Sequence, residues 1–255
     1  MLNIEEFDIK LDTDFIGRNF VFIEQLESTN SFLMENEVYH ENGTVIFSEY
    51  QSDGRGRRNR EWFSMPGQNL TFSIMLIRPY RTAEVNVLNL GASLAIAQAI
   101  ENLYQLKVHL KWPNDVLIDN KKAAGILLNS TSQGDRITKV VVGMGINVNQ
   151  SGFEGEFLYQ PTSIRREFRQ EVSRERLLSE ILNIYEHIVK GSRYNAHKIL
   201  QDWKSRCKLL GEKVKIVSET ETKFGVFDDI DEEGFLVLKT GEEYEKIAYG
   251  DVSLR

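Results

Sequence analysis

One cysteine and four prolines in 255 residues set the first limits. A lone thiol, Cys207, cannot build a disulfide framework, and no CxxC or Cys/His cluster supplies the ligand set of a structural metal. That usage fits a reducing, cytoplasmic setting. The four histidines, His40, His109, His187 and His197, have no nucleophile or ligand partner near them in sequence and read as surface or core residues. No GxSxG and no GxxxxGK[ST] occurs, which removes the nucleophile elbow and the P-loop. No uninterrupted apolar run approaches the roughly 20 residues of a membrane span, so no membrane partner is expected. The opening MLNIEEFDIKLDTDF carries acidic residues and no apolar h-region, so no signal peptide is expected. Positive charge is also in deficit: 31 Lys and Arg against 38 Asp and Glu leave a formal net charge of −7. Bulk nucleic-acid binding usually needs a broad basic face, and this chain lacks the charge to make one.

Against that acidic background one stretch stands apart. QSDGRGRRNREW, Gln51 to Trp62, packs Arg55, Arg57, Arg58 and Arg60 into six positions around Gly54 and Gly56. Glycine permits close backbone approach and positive φ, so N–H groups can converge on an anion, and arginine adds bidentate, permanently charged donors. A single Arg pair would read as a solvated turn. Four Arg, two Gly and a following Trp62 predict an anion site for a small target, since the charge is local.

Runs of β character occur at 20–26, 44–50, 69–77, 108–111 and 137–146, and DVLIDNKKAAGILL predicts a hairpin turning at Asp119-Asn120-Lys121. Apolar spacing predicts helices over 86–105, over 174–190 with Ser173 as N-cap and Gly191 as stop, and over 196–210 between Asn195 and Gly211. From Glu212 onward, short β-rich runs alternate with turn-prone Gly and acidic residues, the texture of a small all-β domain. The expected class is α+β: a mixed sheet with helices on one side in a domain over 1–210, then a β domain over 211–255.

Other segments are ambiguous alone. In KWPNDVL, Pro113 pushes Trp112 towards extended backbone and leaves Lys111 at a strand end, while Asn114 and Asp115 suit an ordinary turn. Small Ala123, Ala124 and Gly125 leave room beside Lys122, which reads equally as a pocket lysine or a hairpin-tip charge. ESTN offers Ser28, Thr29 and Asn30 after a strand, either as a helix N-cap or as pocket lining. VVVGMGINVN breaks into Gly143-x-Gly145 and ends near Asn147 without the third glycine or the helix of a dinucleotide site.

In order along the chain, ESTN, EYQSDGRGRRNREWFS, KWPNDV, KKAAGILLN and GMGINVN closely resemble the biotin–protein ligases. Each motif is weak alone; five in sequence are specific, and the likeness covers residues 20–150 with a looser extension through the C-terminal β region. The resemblance implies a class II synthetase-like catalytic domain followed by an SH3-like barrel. It implies biotin and ATP as substrates, Mg²⁺ accompanying ATP, a biotinyl-5′-AMP intermediate, and a lysine of a biotin carboxyl carrier protein as acceptor. By the same resemblance Lys122, Arg55 and Arg57 are catalytic. Ser28, Thr29, Asn30, Gln51, Gly54, Arg55, Gly56, Arg57 and Lys122 bind biotin. Arg57, Arg58, Trp62, Lys111, Asn114, Asp115 and Asn147 bind the nucleotide, and no metal is held by a protein ligand set alone. It leaves a homodimer open.

One departure is Asn59, where many members of that family have glycine; asparagine tolerates a left-handed conformation, so the loop is expected to keep its shape. The expected form lacks an N-terminal DNA-binding domain. Nineteen residues precede Phe20, and they include Glu5, Glu6, Asp8, Asp12 and Asp14, which a phosphate backbone repels. Two competing readings are a lipoate–protein ligase, which shares fold and adenylation chemistry, and a non-catalytic polyanion-binding module. ESTN and the intact GRGRR favour a ureido ligand over lipoate, and a polyanion module leaves KWPND and KKAAG unexplained.

Overall fold

The computed structural model describes residues 1–218 and 220–254, with the side chain of Asn59 left aside. A short helix, α1 (Ile4–Lys10), precedes strand β1 (Phe20–Leu26), helix α2 (Thr29–Glu35) and strand β2 (Val45–Gln51). Because α2 carries the chain back, β1 and β2 pair in parallel. β3 (Leu70–Tyr80) pairs antiparallel with β2 and feeds α3 (Thr82–Tyr104). Then β4 (Val108–Lys111), β5 (Asp115–Ile118), β6 (Lys121–Gln133) and β7 (Arg136–Ile146) complete a seven-stranded sheet of order β1-β2-β3-β7-β6-β5-β4. The β5–β6 turn is made by Asp119 and Asn120, both left-handed at φ 50 and φ 62, the conformation a two-residue hairpin loop requires.

Alternation along the strands sorts residues to two faces. Val45, Phe47, Ile74, Leu76, Val140 and Val142 point to the main core with α3 and α5 (Arg174–Gly191), while Ile46, Met75 and Val141 on the other face receive Leu33 of α2. The large helices therefore share one side, as the class predicts, and short α2 covers part of the other. α3 is long and apolar enough by composition to cross a membrane, yet most of it is buried inside the protein, including Leu88, Leu94, Ile96 and Ile100.

Helix α3 begins at Thr82, four residues ahead of the sequence expectation, because the Glu84 carboxylate accepts the Arg81 N–H at 3.0 Å and starts the first turn. After the short α4 (Ile164–Phe168), α5 matches the reading, with Ser173 accepting from Arg176 N–H. The last helix, α6 (Ala196–Lys204), does not reach Leu210. Tertiary pairing overrides its helical spacing: the Leu110 N–H donates to the Arg206 carbonyl at 3.0 Å, and Cys207 forms a bridge beside Leu110 on the outer edge of β4.

The remaining chain forms a second sheet from β8 (Lys213–Val217), β9 (Thr222–Ile230), β10 (Leu236–Thr240), β11 (Glu243–Ile247) and β12 (Asp251–Leu254). Its order is β11-β10-β9-β8-β12, and β12, unread in the sequence, pairs antiparallel with β8. It is tied to α3 and to two loops of the preceding chain through Trp112 Nε1 to the Gly234 carbonyl at 3.3 Å, Asn86 Nδ2 to the Glu233 carbonyl at 3.0 Å and Tyr159 OH to the Val252 carbonyl at 3.0 Å. That docking puts β12 beside the arginine loop.

Candidate active site

A cavity of about 640 Å³ opens where the N-terminus of α2, the arginine loop, the start of β6 and the end of β7 meet. Its floor is polar and buried. Ser28 is the N-cap of α2 and also lines the cavity, so both readings of ESTN hold at once. The Thr29 N–H donates to Gln51 Oε1 at 2.7 Å, and Asn30 Nδ2 donates to the Leu127 carbonyl at 2.9 Å and to Asn129 Oδ1 at 2.8 Å. Ser73 of β3, fully buried, joins the two residues: it donates to Asn30 Oδ1 at 2.8 Å and lies 2.7 Å from Thr29 Oγ1.

Gly143 and Gly145 explain the Gly-x-Gly break. At spacing two they face the same side of β7, and a Cβ on Gly143 would stand 2.6 Å from Asn30 Oδ1, while one on Gly145 would stand well under 3.0 Å from the Trp62 indole. Gly145 pairs with Gly125 across β6–β7, and together they make the flat patch on which Trp62 lies. Trp62 Nε1 is buried and has no hydrogen-bond partner among the described residues. Gly145→Ala is expected to overpack this contact, destabilising the fold by about 1–3 kcal/mol and displacing the indole. A lowered melting temperature together with a red shift of tryptophan emission checks it, since Trp112 and Trp203 are buried elsewhere.

The arginine loop is ordered by its own backbone. The Trp62 N–H donates to the Gly54 carbonyl and the Gly56 N–H to the Arg60 carbonyl, each at 2.7 Å, around a single 3-10 turn at Arg57–Asn59. A Cβ on Gly54 would fall under 3.0 Å from the Trp62 carbonyl, so this glycine is a packing requirement. The left-handed position is Arg58, φ 57, and the Asn59 side chain lies outside the described residues. An arginine holds that conformation because its guanidinium is anchored at both ends of a span across the second sheet: Nη2 donates to the Val217 carbonyl at 2.6 Å and Nη1 lies 3.4 Å from Asp251. Asp251 also receives Arg57, at 3.7 Å, and Arg60. Burial pulls the Arg57 guanidinium below its usual value, and Asp251 opposes that shift.

Across the cavity Lys122 Nζ pairs with Asp115 Oδ1 at 2.6 Å and stands 5.8 Å from the Trp62 ring centroid. Its backbone is fixed as well: the Lys122 N–H donates to the Gln160 carbonyl and the Thr162 N–H to the Lys122 carbonyl, both at 2.9 Å. Lys122 is therefore a cavity lysine; the tip position belongs to Asp119 and Asn120. Behind it, Lys111 Nζ lies 3.7 Å from Asp115 Oδ2 and 3.3 Å from the Tyr159 ring centroid. Burial pushes Lys111 down to about 8, with Asp115 opposing the shift and Lys122 adding to it. Asn114 Nδ2 donates to the Ile126 carbonyl at 2.6 Å, and Asn147 Nδ2 to the Thr162 carbonyl at 3.0 Å, so each ties a wall segment in place.

Of the fifteen residues assigned to the site from the sequence, twelve line this cavity: Ser28, Thr29, Asn30, Gln51, Arg55, Gly56, Arg57, Trp62, Asn114, Asp115, Lys122 and Asn147. Three do not. Gly54 is packed beneath the loop, Arg58 turns to the second sheet, and Lys111 sits behind Asp115 against Tyr159. Arg55 lines the mouth with its side chain 55% exposed and paired to Asp53. Sequence reasoning missed Ser73, Asp251 and the part played by Gly143 and Gly145. Glycines two apart in a strand were a usable signal that something lies flat on one face; Ser73 and Asp251 gave none, because their partners are 43 and about 193 residues away.

A model described as the biotin/lipoate A/B protein ligase family matches residues 22–147, and one described as the biotin protein ligase C-terminal domain matches residues 209–255. A bifunctional ligase/repressor BirA from Bacillus subtilis is 31% identical over 263 residues, spanning 99% of this chain and 79% of that protein. A biotin–[acetyl-CoA-carboxylase] ligase from Mycobacterium tuberculosis is 28% identical, spanning 92% of this chain and 88% of that one. Among solved structures, the biotin protein ligase from Aquifex aeolicus in complex with biotin and ATP superposes with TM-score 0.79 at 29% identity, covering 93% of this chain and 99% of that one.

Proposed function

The chain belongs to the biotin protein ligase family, and from that premise we propose that it activates biotin with ATP as biotinyl-5′-AMP and passes the biotinyl group to a lysine of a biotin carboxyl carrier domain. One observation carries the reading: a single cavity joins a buried amide-and-hydroxyl floor to a wall bearing Arg57 and Lys122 beside an indole. The floor suits a small polar ring, whose donors and acceptors need fixed partners. The cationic wall suits a carboxylate brought against a phosphate. Trp62, with its unpartnered Nε1 and a flat glycine patch beneath it, is assigned to the adenine.

In the first step a biotin carboxylate oxygen attacks the α-phosphorus of ATP, the bond to the bridging oxygen breaks, and pyrophosphate leaves. Both reactants are anionic, so fixed cations lower the barrier, most of all where charge grows on the phosphate oxygens. Lys122 and Arg57 are assigned that role. Mg²⁺ travels with the phosphates, and Asp115, set between Lys111 and Lys122, is the carboxylate assigned nearest to them. In the second step the neutral amine of the acceptor lysine attacks the acyl carbon, AMP leaves with the bonding pair, and the nitrogen gives up a proton to solvent.

Biotin-dependent ATP–pyrophosphate exchange tests the reading, with lipoate as the parallel substrate. Exchange with biotin supports it; exchange with lipoate alone, or none with either, overturns it.

Lys111 makes the nucleotide affinity depend on pH. It is cationic below about 8 and neutral above, because burial disfavours its charge. Its attraction for phosphate is therefore present at pH 7 and lost by pH 9. The KM for ATP is expected to rise roughly two- to fivefold over that interval, the order of a nearby charge that stands behind Asp115 and does not itself touch the phosphate. Lys111→Arg, which stays charged, is expected to flatten the rise, and KM measured against pH for both proteins checks it.

A further inference from the structure

The cavity floor holds three oxygen-to-oxygen contacts and two hydroxyl protons to fill them. Asn30 fixes the count. Its Nδ2 donates to the Leu127 carbonyl and to Asn129 Oδ1, and a backbone carbonyl can only accept, so the amide cannot be turned and Asn30 Oδ1 is an acceptor. Ser73 Oγ, 2.8 Å away, commits its one proton there. The Thr29 hydroxyl then has one proton and two acceptors in reach, Gln51 Oε1 at 3.0 Å and Ser73 Oγ at 2.7 Å. The shorter contact, where two bare oxygens would repel most, takes it. Gln51 Oε1 receives the Thr29 backbone N–H at 2.7 Å, so it is also an acceptor, and it stands 3.0 Å from Thr29 Oγ1. Thr29 has no second proton to place between them. The Thr29–Gln51 edge is thus a pair of facing acceptors short of a donor, and Ser73 makes it so.

We propose that Ser73 is a positioning residue for specificity: it sets the Thr29–Gln51 edge to receive N–H donors, and so selects a ring that carries them, such as the ureido ring of biotin. This rests on the reading of the cavity as a biotin site. A ligand N–H supplies the missing proton to Thr29 Oγ1 or Gln51 Oε1. A ring without N–H leaves two desolvated oxygens facing each other, which repel. Replacing Ser73 by alanine takes away the acceptor of the Thr29 proton but not the proton itself; the hydroxyl of Thr29 turns to Gln51, the deficit disappears, and a ligand N–H gains less. Ser73 is fully buried, so solvent cannot substitute for it.

The test compares the parent protein with Ser73→Ala, using biotin and biotin methylated on a ureido nitrogen, by pyrophosphate exchange and by calorimetric titration without ATP. Absence of exchange by the parent with biotin overturns the underlying reading and the proposal with it. With the parent active, Ser73→Ala is expected to raise the KM and Kd for biotin about three- to tenfold, with kcat within twofold, and to narrow the preference for biotin over the methylated analogue. An unchanged preference, or a loss confined to kcat and melting temperature, assigns Ser73 a packing role and overturns the proposal while leaving the biotin reading intact.

Discussion

Lys122→Ala is expected to slow biotin-dependent pyrophosphate exchange by about 10²–10³-fold, the usual loss when one preorganised donor to a developing oxyanion is removed. The geometry argues for an effect on rate more than on folding. Lys122 Nζ is partly exposed to the cavity, and the substitution breaks its pairing with Asp115. Its backbone bonds to Gln160 and Thr162 survive, so the segment they anchor stays in register. Asp115 keeps Lys111 at 3.7 Å, so it is not left as an isolated buried charge. Single-turnover formation of biotinyl-AMP, with a thermal melt beside it, is the decisive measurement. A parental rate with the fold intact would remove Lys122 from the chemistry.

The second large effect is expected from Asp251→Ala. One carboxylate, itself only 16% exposed, faces Arg57, Arg58 and Arg60 of the loop. Without it three guanidinium groups repel each other, and the left-handed backbone of Arg58 is held through the Val217 carbonyl without Asp251. The loop is then expected to open and release the adenylate into solution. Biotinylation of bystander protein should rise about tenfold while transfer to carrier persists, as expected when a closing loop no longer sequesters a reactive intermediate. Asp251→Asn, which keeps hydrogen bonding but not charge, should fall between. Labelling of a mixed pool of carrier and albumin, resolved by gel, reads both effects. No increase in stray labelling for Asp251→Ala would mean that the second sheet does not hold the loop.

The parts legible in the sequence were those decided locally or by a strong spacing. The strand runs, the Asp119-Asn120 hairpin and the α5 cap at Ser173 depend on neighbours within a few residues, and they form as read. Most of the candidate site was legible too, because five short segments each carry their own polar signature and the fold gathers them at one cavity. What escaped was set by distant contacts. α6 stops short because Leu110 claims the backbone at Arg206 and Cys207. The loop arginines read as one anion-binding cluster, whereas the second sheet supplies a carboxylate that divides them: Arg58 is turned away, and Arg57 and Arg60 remain at the cavity. β12 offers too short an apolar pattern to be read until β8 is there to pair with it.

The opening of the chain was equally silent, and its attachment has a bearing on synthesis. α1 and the residues after it are held from far downstream: Glu186 accepts the N–H groups of Asp14, Phe15 and Ile16, Asn183 accepts that of Asp12, and Glu175 that of Asn3, all about 170 residues away in sequence. At roughly 5–20 residues per second, residues 3–16 leave the ribosome on the order of ten to thirty seconds before α5 exists to receive them. Through that interval Phe7, Leu11 and Ile16, all buried in the finished protein, lack α5, the helix against which α1 packs. The acidic residues interspersed among them, Glu5, Glu6, Asp8, Asp12 and Asp14, keep the waiting segment charged and therefore poor at self-association until its anchors are made.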